Sequence, residues 1–273
     1  MSFRTLIYGR GWMGTLWAAR SPDASLSDVD IADEAAVAAE LDREPPVHGV
    51  NAAGRTGRPN GDGLEGRPGS GYRSNGVGPL VLAAACRERG IHMTHLGSGC
   101  IYSGDNGGAG FAEQDAPNFD GSLYSRSKAA AEAALRDFDV LQLRIRLPIS
   151  ATPHHRNLLT KLLGYERVVR AENSITVLED AWPVAEVLVA QRATGVWNLV
   201  NDGVERHDEL LDLYRSRVDP DHRWRMVDEA ELGLKAGRSN CVLSTRKLHE
   251  AGLALPPLGE SLPRLVEAYG RAR

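Results

Sequence analysis

Short apolar runs alternate with stretches of helical periodicity along most of the chain. TLIYG (5–9) has the bulk and length of a buried strand, and a glycine turn after it opens a helix over about 13–20. DEAAVAAELDRE (33–44) reads as a helix with Asp33 as its N-cap. VHGVNAAG (47–54) is a strand ending in small residues, and GPLVLAAACRERG (78–90) a helix stopped by Gly90. IHMTHLGSG (91–99) is the next strand. An alanine-rich helix from Tyr124 to about Phe138 then leads into the strand DVLQLRIRLPIS (139–150), and TGVWNLVN (194–201) is a later strand. Two places break the rhythm. Only RSPDASLSDVDI separates the first two helices, so the second strand must be short or irregular. Residues 54–78, rich in Gly, Pro and Arg, read on their own as a long loop.

Alternation at this spacing predicts βαβ units and a parallel sheet. Right-handed crossovers bring the strand C-termini to one edge, and ligands bind there where strand order reverses. The predicted fold class is α/β: a Rossmann doubly wound parallel sheet with a smaller C-terminal substrate-binding lobe. The dinucleotide-binding part is expected over residues 1–155 with 176–204, and the lobe over 156–175 with 205–273.

Composition narrows the function classes. The 273 residues, 42% hydrophobic, suffice for one large domain or a domain with a lobe. A net charge of −4, with basic runs broken by acids, carries no nucleic-acid footprint. Cys86, Cys100 and Cys241 are few, odd in number and far apart, which argues against a disulfide framework and for a reducing, cytoplasmic setting. No spacing suggests a metal site, and adjacent His154 and His155 point to opposite faces of an extended chain. The N-terminus lacks a signal-peptide pattern, and no run approaches the roughly 18 apolar residues of a membrane span.

Two motifs carry chemistry. Gly9-Arg10-Gly11-Trp12-Met13-Gly14 is a GxGxxG that follows a strand and opens a helix. Its glycines serve the tight turn, the approach of a pyrophosphate and the helix–strand packing in turn. Tyr124 and Lys128 form a YxxxK with both side chains on one helix face. An ammonium near the phenol favours the phenolate and makes the tyrosine a proton donor and acceptor nearer neutrality. Ser98 stands at the preceding strand end, two residues before Cys100. If the extended path persists to Cys100, both side chains face one ligand.

The ordered series GxGxxG, NAAG (51–54), Ser98, YxxxK and LRIRLP resembles the short-chain dehydrogenase/reductase superfamily, in its extended, nucleotide-sugar-modifying branch. An NxxG, Asn75 and Gly78, matches the same branch. A closer resemblance rests on NAAGRTGRPN (51–60), GCIY (99–102), PNFDGSLYSRSK (117–128), RIRLPIS (144–150), RNLLTK (156–161), NSITVLED (173–180), TGVWNLVN (194–201) and RSN (238–240). These are similar to the bifunctional 3,5-epimerase/4-reductases that make UDP-rhamnose in plants. The dTDP-4-dehydrorhamnose reductases and GDP-fucose synthases are more distant. In two places the chain departs from that pattern: the first glycine loop is one residue shorter, and residues 63–76, helical in the family, carry Pro68 and several glycines, so an irregular segment is expected.

The resemblance implies NADPH as cofactor, with NADH left open, and a nucleotide-diphosphate 4-keto-6-deoxyhexose as substrate. No membrane or nucleic-acid partner is implied, and a homodimer is compatible with it. The cofactor would lie against Gly9, Gly11, Trp12, Met13, Gly14, Asn51, Ala52, Ala53, Tyr124, Lys128 and Pro148, with Asp30 and Ile31 on its adenine side. Ser98 would hold the substrate oxygen, Tyr124 would be the acid/base, and Lys128 would tune it and grip the ribose. A 4-keto group acidifies the C–H bonds at C3 and C5. By resemblance to the GSSCIY segment of GDP-fucose synthases, Cys100 would be the epimerisation base, with Lys161 the opposing acid. Each also has a plainer reading, Cys100 as a buried small residue and Lys161 as a surface lysine. Arg238 is the candidate for the diphosphate, Arg58, Asn60 and Asn157 for the sugar, and Asn173, Ser174 and Thr176 for the nucleotide base. The leading expectation is NADPH-dependent 3,5-epimerisation and 4-keto reduction giving a nucleotide-rhamnose-type sugar. The alternatives are a 4-reductase only, or a non-catalytic nucleotide sensor of the same fold.

Overall fold

The structure, a computed structural model, describes residues 4–57 and 62–273. β1 (Thr5–Tyr8), α1 (Trp12–Ala18), β2 (Ala24–Ser27), α2 (Glu34–Arg43) and β3 (His48–Asn51) open the chain. α3 (Asp62–Glu65), α4 (Pro68–Tyr72), a π-helical turn (Arg73–Val77) and α5 (Gly78–Glu88) lead to β4 (His92–Ser98), α6 (Leu123–Leu135) and β5 (Val140–Ile145). Then follow α7 (Leu158–Leu163), β6 (Arg167–Val169), β7 (Glu172–Asn173), α8 (Leu178–Ala190), β8 (Gly195–Asn198), β9 (Glu205–Arg206), α9 (His207–Arg217), β10 (Arg225–Val227), α10 (Arg246–Glu250) and α11 (Leu258–Ala272).

Among the described residues, one sheet has six parallel strands in the order β2-β1-β3-β4-β5-β8. β1, β3 and β5 are buried at every position, as parallel strands covered on both faces must be. β2 is the half-exposed edge strand beyond β1, so β1 and β2 alone lie on that side of the switch point between β1 and β3. The short 20–31 segment allows no more, and the expectation of a short second strand holds. Asp33 caps α2 through Ala36 N–H at 3.0 Å, and Ser122 caps α6 through Ser125 N–H at 3.0 Å. A second apolar cluster, including Ile149, Leu159, Val168, Leu211, Val266 and Tyr269, unites α7, β6, α9 and α11. No helix among the described residues is long and apolar enough to cross a membrane.

The loop reading of 54–78 needs correction from Asp62 onward. α3, α4 and the π turn run almost continuously into α5. Their glycines permit close packing on α6: a Cβ on Gly71 would lie 3.1 Å from Leu123. Tertiary contact overrides poor helix propensity, while the breaks between the pieces agree with the expected irregularity.

A buried ion pair locks α6 to β5. Arg144, fully buried, donates from Nε and Nη2 to the two Glu132 oxygens, each at 2.7 Å, and stacks 5.0 Å over Tyr102. Glu132→Leu should cost about 3–5 kcal/mol, because it strands the guanidinium. Arg144→Met with Glu132→Leu should recover most of that loss, and urea unfolding of the two variants checks it.

Candidate active site

The glycine loop has one open position among closed ones. Gly9 adopts φ +104°, and a Cβ there would come within 2.4 Å of Ala53 N. Gly14 is closer still, its Cβ falling 1.9 Å from Gly9 O. Gly11 caps α1 without a side-chain hydrogen bond, and a Cβ there would meet nothing within 4 Å. Free helix N–H groups therefore face clear space bordered by glycine, a donor set and shape that suit a diphosphate. Trp12 stacks on His154 at 5.0 Å and 12°, joining this loop to the chain beyond β5. Met13 and Ala52 pack against the core beside Ile7, and Ala53 against the core on the opposite face. Asn51 is buried and accepts the Ala53 N–H at 3.0 Å. Asp30 is exposed; its carboxyl accepts the Ala32 N–H and pairs with Arg73 at 3.2 Å, which holds it below the usual carboxylate range. Ile31 is a core residue packed against Gly78.

β4 ends at Ser98 and the chain turns, with Cys100 N–H donating to Ser98 Oγ at 3.1 Å. The extended path thus stops before Cys100, a correction to the strand-face expectation. The Cys100 side chain nonetheless faces the same cavity as Tyr124. The Ser98 hydroxyl bears on the Tyr124 phenol and favours its ionised form. Lys128 Nζ donates to Leu96 O at 2.8 Å and lies 3.1 Å from His95 Nε2. Burial brings Lys128 down to about 8, against the charges of Glu132 and Cys100. Burial pushes Tyr124 up to about 12, reinforced by Cys100 and opposed by the Ser98 hydrogen bond and the charges of Arg146 and Arg156. The expectation that Lys128 draws the phenol down is corrected here. Lys128 turns toward a carbonyl and an imidazole, and the forces that favour the phenolate come from Ser98 and the two arginines.

Arg146 escaped the sequence reading. It follows β5 directly and is 1% exposed. Its Nη1 donates to Cys100 Sγ at 2.9 Å, and its Nη2 donates to Asn173 Oδ1 and Ser239 O. Leu147, next in the chain, has φ +38°, a left-handed turn uncommon outside glycine. The one available signal was a second arginine inside an otherwise apolar strand motif, RIRLP.

Cys100, Tyr124, Arg146, Arg156, Lys161 and Arg238 line one cavity of about 360 Å³ at the C-terminal edge of the sheet. Lys161 is lowered from the ordinary lysine range, chiefly by desolvation and then by Arg156, with Cys100 opposing. Arg238 lies 3.6 Å from Asp62 Oδ1. Arg156 donates to Thr56 Oγ1. Other candidates are placed differently. Asn157 caps α7 and donates to Ser150 O and Thr152 O. Ser174 accepts the Leu243 N–H, and Thr176 joins Arg146 N–H to Leu199 O. All three are buried with their polar groups engaged by backbone. Asn173 reaches the site by holding Arg146. Pro148 O accepts the Leu158 N–H at the start of α7. Arg58 and Asn60 lie outside the described residues.

The family model RmlD substrate binding domain matches residues 14–271. The chain belongs to the RmlD family. It is 37% identical over 279 residues to the bifunctional dTDP-4-dehydrorhamnose 3,5-epimerase/dTDP-4-dehydrorhamnose reductase of Arabidopsis thaliana, covering 97% of this chain and 93% of that one. It is 36% identical over 283 residues to a trifunctional UDP-glucose 4,6-dehydratase/3,5-epimerase/UDP-4-keto-L-rhamnose-reductase of the same plant, of whose length it spans 42%. The crystal structure of the L780 UDP-rhamnose synthase from Acanthamoeba polyphaga mimivirus matches with TM-score 0.94 and 34% identity, covering 98% of this chain and 100% of that one. A Bacillus anthracis dTDP-4-dehydrorhamnose reductase in complex with NADP shares the fold, at TM-score 0.84 and 20% identity over 97% of this chain and 99% of that one. The motif resemblance, the Rossmann fold class and the expectation of a pyridine-nucleotide-dependent enzyme of the short-chain dehydrogenase/reductase fold all hold for this RmlD-family chain.

The loop geometry separates two kinds of substitution. Gly11→Val should leave the urea midpoint unchanged, since its side chain enters open space, while weakening dinucleotide binding at least tenfold. Gly14→Ala should lower the midpoint itself, because its methyl collides with the Gly9 carbonyl. Denaturation and fluorescence titration with NADPH distinguish the two.

Proposed function

We propose that this protein epimerises C3 and C5 and reduces the C4 ketone of a nucleoside-diphosphate-linked 4-keto-6-deoxyhexose, giving a nucleotide-rhamnose-type sugar. One observation carries the reading: Cys100 Sγ, 2.9 Å from Arg146 Nη1, shares its cavity with Tyr124 and Lys161. Ketone reduction alone does not require a thiol there.

In this reading Cys100 takes the C3 or C5 proton as the electron pair delocalises onto O4. Lys161 returns a proton to the opposite face. The Arg146 guanidinium, donating to the sulfur, is proposed to hold the thiol in place toward the substrate. For reduction, the bound pyridine nucleotide supplies the hydride. Tyr124 donates its proton to O4, and Ser98, which bears on that phenol, orients the ketone. Lys128 keeps a positive charge beneath the pair. NADPH is the proposed form, since Arg10 and Arg73 pair with Asp28 and Asp30 just beyond β2, where an arginine can accommodate a ribose 2′-phosphate. Arg238 and Arg156 are the proposed partners of the substrate diphosphate. The proposed division of labour sets residues 1–155 with 176–204 around the dinucleotide and 156–175 with 205–273 around the nucleotide sugar.

The test is incubation in deuterated water with UDP-, dTDP- and GDP-4-keto-6-deoxyglucose and NADPH. Wild type should incorporate deuterium at C3 and C5 and yield a rhamnose-configured product. Cys100→Ser should lose the incorporation by at least a hundredfold and still reduce a pre-epimerised 4-keto sugar. Reduction by the wild type without any deuterium uptake would leave a 4-reductase only.

A further inference from the structure

The imidazole beneath Lys128 belongs to a row of polar side chains crossing the sheet. Asn51 of β3 pairs in register with His95 of β4, which pairs with Gln142 of β5. Partners in register point to the same face, about 4.8 Å apart. Here that face is the one covered by α6: His95 reaches Lys128, and Gln142 Nε2 reaches Glu132 O at 3.5 Å. The three side chains are 0%, 1% and 1% exposed. Each keeps one polar atom without a hydrogen-bond partner among the described residues: Asn51 Nδ2, His95 Nδ1 and Gln142 Oε1. Three adjacent unpaired polar atoms in a packed interior are costly unless something bridges them.

The contacts determine what each atom offers. An ammonium has no acceptor, so Lys128 donates to His95 Nε2, and a neutral ring then carries its hydrogen on Nδ1. Burial and the Lys128 charge hold His95 well below the usual histidine range, in agreement with a neutral ring. The row therefore presents two donors, Asn51 Nδ2 and His95 Nδ1, and one acceptor, Gln142 Oε1. A water molecule complements that set, accepting from the donors and donating to the amide oxygen.

We propose that His95 is a positioning residue for ketone reduction: its Nε2 holds the Lys128 ammonium where α6 meets β4, one helical turn from Tyr124, and buried water between Asn51 and Gln142 fixes the ring tautomer. This deepens the reductive half of the proposed function and rests on it. The groups bearing on Lys128 come from three places: His95 on β4, Glu132 one turn further along α6, and Cys100 in the turn after β4. Of these, His95 is the neutral side-chain acceptor that, with the Leu96 carbonyl, keeps the charge buried without cancelling it.

Two measurements test the proposal. Long-range ¹H–¹⁵N spectra of [¹⁵N]histidine-labelled protein report the tautomer, with His95→Leu assigning the signal among the 8 histidines. The expected result is a neutral, Nδ1-protonated ring from pH 5 to 9. An Nε2-protonated ring would overturn the proposal, since it would aim a donor at the ammonium. The second measurement is the pH profile of kcat for NADPH-dependent reduction of a pre-epimerised 4-keto sugar. Removing the acceptor disfavours the ammonium, so His95→Leu should move the alkaline limb down by about one pH unit with KM unchanged. His95→Gln, whose amide oxygen still accepts, should bring it back. An unmoved limb in folded His95→Leu would also overturn the proposal. Absence of turnover with every sugar would defeat the functional reading instead, and the spectra would still decide the contact between His95 and Lys128.

Discussion

A single buried guanidinium holds the active-site edge of this molecule together. Arg146 leaves the end of β5 with its charge out of water, a costly state that its two terminal nitrogens offset by finding partners, while Nε has none among the described residues. The partners come from three distant segments: the Cys100 turn, Asn173 on β7 and the Ser239 carbonyl near the C-terminus. The sheet, the turn after β4 and the added lobe are thereby fastened at one point, beside the thiol. Asn173 is itself held by the Cys241 N–H, so the knot is two layers deep. Catalytic geometry and lobe packing share the same few atoms.

A second buried charge is handled differently. Among the described residues Lys128 has no carboxylate in hydrogen-bond contact; it meets a carbonyl and an imidazole, with Glu132 acting from a distance while pairing with Arg144. A direct carboxylate would cancel that buried charge. Burial leaves Lys128 near the pH at which it can lose its proton, and leaves Tyr124 firmly protonated. Such a pair is ready to give a proton rather than take one, as ketone reduction requires.

What could be read from the sequence followed the chemistry of burial. β1 was evident as a short apolar run, and β4 and β5 as apolar-rich runs between helical stretches despite the polar His92, Thr94, His95, Gln142 and Arg144 they bury. Ser98, Tyr124 and Lys128 could be singled out as candidates through the ordered motif series and its resemblance, not through the YxxxK spacing alone. Arg146 was hidden, because a fully buried arginine contradicts the composition of the strand it extends. His95 was hidden as well, since its partners lie on neighbouring strands and register is not written in one segment. Residues 62–77 read as loop because glycine and proline lower helix propensity. Only the packing against Leu123 of α6 shows why small residues were needed there.

The π turn at Arg73–Val77 acts on the angular phase of the helix it interrupts. A widened turn holds one residue more than an ordinary one, so everything after it is rotated by about 100° relative to an unbroken helix. Asn75 uses that widening to face inward, where it closes on both backbone groups of Arg55 and on Ser127 of α6. α5 then resumes with Leu82, Ala83 and Cys86 against the sheet. One surplus residue thus lets a single helical run serve two partners whose directions no straight helix could satisfy together.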